Sequence, residues 1–166
     1  MKLSIRHTFP CTVEQFWESY WDEGLDAEFQ RTSTMRRTLL SEVVEDGKRV
    51  RHQRFESSVE LPAPVAAALG TKTLAYEQIT AIDAADSSLS WRVLPPIYKD
   101  RIKAEGQMTV RPSTGGCERV VEGVVEVKIA LFGGRIESLV VENLQRSEDL
   151  SAALRTRWLV ARFGGG

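Results

Sequence analysis

The sequence predicts an α+β domain in which a curved antiparallel sheet of about seven strands wraps around one long C-terminal helix. Two patterns lead to this prediction. Apolar residues alternate with a period of two through most of residues 34–131, which is typical of strands with one buried face. From about residue 135 to residue 160 the period changes to 3.6, which indicates a helix of roughly 38 Å. Because a sheet must bury its apolar face, we expect this helix to cover it.

The elements before the main run of strands are predicted from local signals. Residues 2–9 alternate as a first strand. Thr12 and Gln15 form a capping-box pattern at the start of a helix whose apolar side chains recur at i, i+3, i+4 and i+7. Gly24 is expected to break this helix, and a second short helix is predicted at about residues 25–31.

Turn residues separate the remaining elements. Asp46-Gly47 predicts a two-residue hairpin between strands at 34–45 and 48–60. A Pro- and Ala-rich stretch at 61–70 predicts a short helix, and strands follow at 72–82, 89–93, 102–110 and 121–131. Gly133-Gly134 predicts a tight turn that needs the free φ of glycine. The apolar stripe of the last helix comprises Ile136, Leu139, Val140, Leu144, Leu150, Leu154 and Trp158. We expect a disordered tail at 164–166.

Composition bounds the class of protein. The 166 residues are the usual length of one domain, and 22 basic against 23 acidic residues argue against a dedicated nucleic-acid binder. The two cysteines, Cys11 and Cys117, have no metal-ligand spacing, so we expect free thiols, no metal site and no cofactor. The sequence has neither a signal-peptide pattern nor an apolar run long enough to span a membrane, which predicts a cytoplasmic protein.

Several segments carry a resemblance to a known family. The segment VKIALFGGRIE at 127–137, the closing TRWL at 156–159 and the strand with Gly106 before Met108 resemble an uncharacterised bacterial domain family of unknown function, known mainly from actinobacteria. That family is similar to the START-like superfamily (SRPBCC, the polyketide-cyclase and birch-pollen-allergen type). The resemblance implies a helix-grip fold with a deep cavity between the sheet and the long helix. It also implies lipid, sterol or polyketide binding, or cyclisation chemistry, and it brings no catalytic residue with it.

The candidate ligand-binding residues come from the two elements that would enclose such a cavity. Tyr76, Trp91 and Met108 occupy strand positions that we expect to face the helix, where they are either core or cavity wall. Asn143 and Ser147 interrupt the apolar stripe of the helix one turn apart, and their side chains need partners. We therefore interpret both as markers of a pocket.

Arg54 is the candidate anchor for a carboxylate or phosphate group. If Val50 faces the core, strict alternation sends His52 and Arg54 inward as well. A buried arginine must be paired, so an anionic ligand group would be a natural partner.

A group of basic residues around the first hairpin has two interpretations. It makes weak contact with anionic headgroups at a membrane surface, or it forms a solvated face that pairs with Glu42 and Glu45. The residues proposed for membrane contact are Arg36, Arg37, Lys48, Arg49 and Arg51.

Three functional hypotheses remain open at this point. The first is the binding or carriage of a hydrophobic small molecule or lipid between the sheet and the C-terminal helix. The second is a cyclase- or dehydratase-type enzyme that uses the same cavity, with His52, Tyr76 and Glu56 as the available acid/base groups. The third is a protein-interaction domain whose interior is filled by its own side chains. His7 and His52 are otherwise expected to be sheet residues with a hydrogen bond.

Overall fold

The computed structural model describes residues 1–164 and confirms the predicted α+β architecture. The elements are β1 (Lys2–Phe9), α1 (Val13–Tyr20), α2 (Glu23–Thr32), β2 (Met35–Glu45), β3 (Lys48–Glu60), α3 (Ala63–Leu69), β4 (Thr73–Asp83), β5 (Ser88–Leu94), β6 (Ile102–Ser113), β7 (Gly116–Val127) and α4 (Gly133–Phe163). The seven strands form one sheet in the order β1-β7-β6-β5-β4-β3-β2, and each neighbouring pair is antiparallel.

The structure confirms the predicted helix cap, the hairpin turn and the glycine that ends α3. The backbone N–H of Gln15 donates to Thr12 Oγ1 at 3.1 Å and that of Thr12 donates to Gln15 Oε1 at 3.0 Å, which completes the capping box of α1. Asp46 and Gly47 both have positive φ, at 52° and 76°, as the tight hairpin between β2 and β3 demands. Gly70 ends α3 in the left-handed conformation.

Two predicted boundaries are wrong. Gly24 does not break α1, because the side chain of Asp22 accepts a hydrogen bond from the backbone of Leu25 at 2.7 Å and starts α2 at Glu23. The last strand ends at Val127 and not at residue 131. The chain instead turns through Leu131, which has a φ of 69° and is 97% exposed.

The turn from β7 into α4 needs glycine for a different reason from the one expected. A Cβ on Gly133 would lie 2.1 Å from the carbonyl oxygen of Val127, so this position lacks space for any side chain. The left-handed residue of the turn is Leu131. Glu137 then accepts a hydrogen bond from the backbone N–H of Val127 at 2.9 Å, which fixes the first turn of α4 to the end of the sheet.

Helix α4 has 31 residues, longer than predicted, and packs against β1, β7, α1 and α2. Its buried side includes Ile136, Ala152, Leu154 and Leu159, whereas the other five residues of the predicted stripe are only half-buried. Gly164 caps the helix in the left-handed conformation, and the other two residues of the predicted disordered tail lie outside the described residues. Among residues 1–164, no helix combines the length and the apolar composition of a membrane span.

Candidate functional site

A cavity of about 1070 Å³ lies between the concave face of the sheet and the N-terminal half of α4. Ile136, Val140 and Leu144 line it from the helix, while β4 to β7 supply the opposite wall. Its volume is slightly above the usual range of about 300–1,000 Å³ for small-molecule sites. The interior on this side is therefore not filled by the protein's own side chains, contrary to the filled-core hypothesis.

The indole of Trp91 packs closely against the sheet because two glycines make room for it. Gly106 of β6 and Gly123 of β7 are direct partners in the ladder. A Cβ on Gly106 would lie 2.6 Å from Cζ2 of Trp91, and a Cβ on Gly123 would lie 2.7 Å from the same atom. Nε1 of Trp91 is buried without a hydrogen-bond acceptor among the described residues. Since buried donors are normally satisfied, this unpaired N–H is an unusual feature of the sheet.

Tyr76 is the second aromatic residue of the cavity wall. Its ring stacks on Phe55 of the neighbouring strand, with ring centroids 5.2 Å apart and planes within 10° of parallel. Burial raises the pKa of Tyr76 to about 12, and the Glu148 carboxylate adds to the shift. The hydroxyl therefore stays protonated at neutral pH and is able to donate a hydrogen bond to a ligand.

The loop between β5 and β6, residues 95–101, lines one side of the cavity. Tyr98 has a φ of 52°, and its hydroxyl donates to the carbonyl of Ala68 in α3 at 3.3 Å. The carbonyl of Arg101 accepts from the backbone N–H of Lys128 at 2.7 Å. These contacts hold the loop against α3 and against the segment after β7. The loop that borders the cavity is therefore fixed at two points.

Of the predicted ligand-binding residues, Tyr76 and Trp91 lie together on the cavity wall. Met108 is only 6% exposed and belongs to the packed core, outside the cavity lining. Asn143 and Ser147 are half-buried on α4 and do not line the cavity either. The cavity lining therefore includes three of the six predicted residues, Arg54, Tyr76 and Trp91.

Arg54 does not face inward, so the expected register of β3 is wrong by one residue. Gln53 is buried, whereas the Arg54 side chain is 46% exposed and donates from Nε to Glu56 Oε1 at 2.9 Å. A shift of one residue moves a strand's whole side-chain set to the other face. Arg54 borders the cavity, and its role as an anchor for an anionic group stays a prediction.

The candidate acid/base groups are also separated by the sheet. Glu56 and Arg54 share the face opposite to Gln53, and the hydrogen bond from Arg54 lowers the pKa of the Glu56 carboxyl. His52 lies 3.4 Å from Glu77 Oε2, measured from Nε2. Two of the three candidates, His52 and Glu56, are therefore outside the cavity lining.

The basic residues of the first hairpin are largely paired. Arg49 and Arg51 lie 3.6 and 2.7 Å from carboxylate oxygens of Glu42, which fits the ion-paired interpretation. The guanidinium groups of both arginines also lie over the ring of Trp21, at 4.6 and 4.8 Å from its centroid. Arg37 forms an ion pair with Asp26 of α2. Contact with a membrane surface through this region stays a prediction.

A buried polar cluster that the sequence analysis missed joins the middle of α4 to the sheet. Arg119 of β7 is 3% exposed, and its Nη2 lies 3.0 Å from both Glu148 Oε2 and His7 Nδ1. His7 Nε2 in turn lies 2.7 Å from Asp149 Oδ1, and this contact lowers the pKa of the Asp149 carboxyl. His7 is therefore a hydrogen-bonded sheet residue, as predicted. The sequence did offer one signal of this burial: Arg119 alternates with Cys117 and Val121 on the same face of β7, and that face is buried.

The fold is shared with solved structures of low sequence identity. TTHA0849 from Thermus thermophilus superposes with a TM-score of 0.65 at 15% identity, over 98% of this chain and 99% of that one. Ara h 8.0201 gives 0.63 at 12% identity, over 96% and 97%. The di-domain ARO/CYC StfQ from the steffimycin biosynthetic pathway gives 0.66 at 10% identity, over 98% of this chain and 52% of that one. No curated protein sequence matches this chain.

The family is established by a sequence model. The model described as "Protein of unknown function (DUF2505)" matches residues 4–159, which is almost the whole chain. This match confirms the resemblance to a domain family of unknown function, and the fold neighbours confirm the predicted helix-grip fold. The chain belongs to the DUF2505 family.

Proposed function

We propose that this protein binds or carries a hydrophobic small molecule or lipid in the cavity between the sheet and α4. The observation that supports this function best is the volume of about 1070 Å³ beside the apolar side chains Ile136, Val140 and Leu144. Apolar walls of this kind favour an apolar occupant because its transfer from water is favourable. The fold shared with StfQ, a protein of a biosynthetic pathway, adds support for a small-molecule occupant.

Polar groups on the wall indicate what else the ligand carries. The hydroxyl of Tyr76 is a hydrogen-bond donor on the wall, and the lining also includes charged residues such as Arg101 and Lys128. Hydrogen-bond donors on the wall fix the orientation of a ligand, while apolar contact supplies most of the affinity. A molecule with an extended apolar body and one hydrogen-bond acceptor, such as a carbonyl group, matches this arrangement.

The expected affinity follows from the area that such a ligand buries. Each buried methylene contributes about 0.8 kcal/mol, so ten of them contribute about 8 kcal/mol. Immobilising the ligand costs several kcal/mol. The hydrogen bonds and remaining contacts then bring the net affinity to about the micromolar range.

Carriage is favoured over acid/base catalysis by the state of the groups at the cavity. Tyr76 is the only one of the three candidate groups that lines it, and a hydroxyl with a pKa of about 12 remains protonated at neutral pH. A protonated phenol is a poor general base but a good hydrogen-bond donor. We therefore expect a bound molecule to be recovered unchanged.

Native mass spectrometry followed by organic extraction tests the proposal, together with titration by a fluorescent fatty acid and a fluorescent sterol. We expect a retained apolar molecule, or binding of one of the probes at about micromolar affinity. Leu144→Trp should place a larger side chain in the part of the cavity next to α4 and weaken binding at least about tenfold. Val160→Trp is the matched control, because Val160 is exposed near the far end of the same helix. A protein that retains nothing and binds neither probe would refute the proposal, as would a Leu144→Trp variant that binds normally.

A further inference from the structure

A second, smaller pocket of about 220 Å³ lies between α1, α2, the inner side of β2 and β3, and the C-terminal half of α4. It shares no lining residue with the large cavity. Its character is also different, because polar side chains make up much of its wall. These are Ser19, Tyr20, Asp22, Glu23, Asp26, Arg37, Arg51, Gln53, Ser151 and Arg155.

Arg155 is the unusual member of this pocket. Its side chain is only 8% exposed, and its guanidinium lies over the ring of Phe16, 4.8 Å from the centroid. Nη1 donates to the hydroxyl of Ser19 at 2.6 Å. Nε, however, is buried with no acceptor, and no carboxylate among residues 1–164 forms an ion pair with this guanidinium. A buried charge without a counter-charge is strongly unfavourable, so an anion bound beside Arg155 would stabilise the guanidinium.

The other arginines of the pocket are already compensated. Arg37 forms its ion pair with Asp26, and Arg51 with Glu42. Both cations nevertheless act on the same region, since their charges lower the pKa of the neighbouring Tyr20 hydroxyl while its burial, the larger effect, raises it. Tyr20 and Gln53 add neutral hydrogen-bonding groups to the wall.

The acidic residues of the pocket do not neutralise Arg155. Asp22 is engaged in capping α2, through a hydrogen bond from the backbone of Leu25. Asp26 is held by Arg37, and Glu23 is an exposed residue in the first turn of α2. The positive charge of Arg155 is therefore able to pair with an anion that enters the pocket.

We propose that this pocket binds a small oxyanion, either a phosphate group or a carboxylate, with Arg155 as its principal ligand and Arg37 and Arg51 beside it. Its volume corresponds to roughly seven water molecules at about 30 Å³ each, which suits a phosphate group or a small dicarboxylate. An arginine fork matches the geometry of both groups. The volume is too small for a lipid chain, so this site is separate from the proposed hydrophobic function.

Side-chain NMR of the Arg155 Nε–Hε group in the wild-type protein is the direct test. Inorganic phosphate and succinate are titrated separately, with sodium chloride at matched ionic strength as the reference. We expect a saturable shift of this resonance with one or both oxyanions and not with chloride. A response to phosphate alone identifies a phosphate ligand, and a response to succinate alone identifies a carboxylate. The absence of a saturable shift with both anions would overturn the proposal.

Arg155→Met and Arg157→Met form the matched pair of variants. Arg157 is on the same helix but its side chain is 73% exposed. Arg155→Met should weaken oxyanion binding, measured by calorimetry, at least about tenfold, as expected for the loss of a charge-assisted hydrogen bond. Arg157→Met should bind like the wild type. Equal affinity of Arg155→Met and wild type would contradict the assignment, and the wild-type titration decides the question alone if Arg155→Met does not fold.

Discussion

Gly106→Ala tests how the cavity wall is built. In the structure, a Cβ at this position would lie 2.0 Å from the backbone oxygen of Glu122 and 2.8 Å from Cα of Gly123. It would also lie 2.6 Å from Cζ2 of Trp91. The first two contacts are with backbone of the neighbouring strand, so they are not relieved by a change of rotamer. The methyl group therefore forces β6 and β7 apart or moves the indole away from the sheet.

The size of the effect follows from these contacts. Overpacking a dense interior costs about 1–3 kcal/mol. Each backbone hydrogen bond lost from the β6–β7 ladder adds about 1 kcal/mol. We expect the variant to be destabilised by about 3 kcal/mol, which corresponds to a fall of about 6–12 °C in Tm for a chain of this size.

Gly134→Ala is the control for this substitution. No atom lies within 4 Å of a Cβ at Gly134, which is in the first turn of α4. Because alanine favours a helix over glycine, this variant should be more stable by up to about 1 kcal/mol.

Urea unfolding followed by far-ultraviolet circular dichroism measures both variants. Near-ultraviolet circular dichroism of the Gly106→Ala protein reports whether the aromatic packing has changed. If Gly106→Ala is as stable as the wild type, the reasoning about the glycine pair and Trp91 is refuted.

Three further predictions concern other parts of the structure. Burial raises the pKa of Cys11 and, to about 12, that of Cys117, so both thiols should react with a disulfide reagent only as fast as the protein opens; rapid reaction of the native protein would contradict this. Leu131→Gly should raise the free energy of unfolding by about 1 kcal/mol, since Leu131 holds a left-handed backbone conformation. A fall in stability, measured by urea titration, would contradict this prediction. Because the pKa of Tyr76 is about 12 in the folded state and about 10 in an unfolded chain, its contribution to stability is present below pH 10 and lost as the pH rises towards 12. Unfolding measured across that range should show a shallower decline in Tyr76→Phe, and an identical decline would be evidence against the shift.

The sheet and the long helix were predictable because their hydrophobic periods are clear. Residues 102–110 alternate almost without interruption, and the structure places Ala104, Met108 and Val110 on the buried face. Capping and hairpin residues were equally informative, since Thr12 caps α1 and Asp46 occupies the tight turn between β2 and β3, as their residue types predict. These signals depend on neighbouring residues alone, which is why sequence reasoning reaches them.

The register of β3 was not predictable in the same way. Its two large apolar residues towards the centre, Val50 and Phe55, have opposite parity, so either choice of inward face leaves one of them outside. The structure places the face of Gln53 inward. That face also carries Arg51, which is stabilised by Trp21 from another part of the chain. Such a long-range contact cannot be read from alternation within one strand.

The polar residues on the buried side of α4 were missed for a related reason. Glu148 and Arg155 continue the spacing of three or four residues that links Leu144, Ala152 and Leu159. The predicted stripe was defined by apolar residues alone, so it did not include these two charged residues. Their partners come from β7 and α1, so their burial becomes understandable only when the helix is packed against both elements.

Methyl NMR during titration with dodecanoate tests the binding cavity most directly. We expect saturable shifts, and contacts with the fatty-acid chain, at the methyl groups of Ile136, Val140 and Leu144. The methyl group of Met108, which is packed outside the cavity, should show no contact with the chain. An apolar chain bound between the sheet and α4 is the predicted result. The absence of saturable shifts at the three cavity residues, or chain contacts confined to other regions, would contradict a hydrophobic binding function for this cavity.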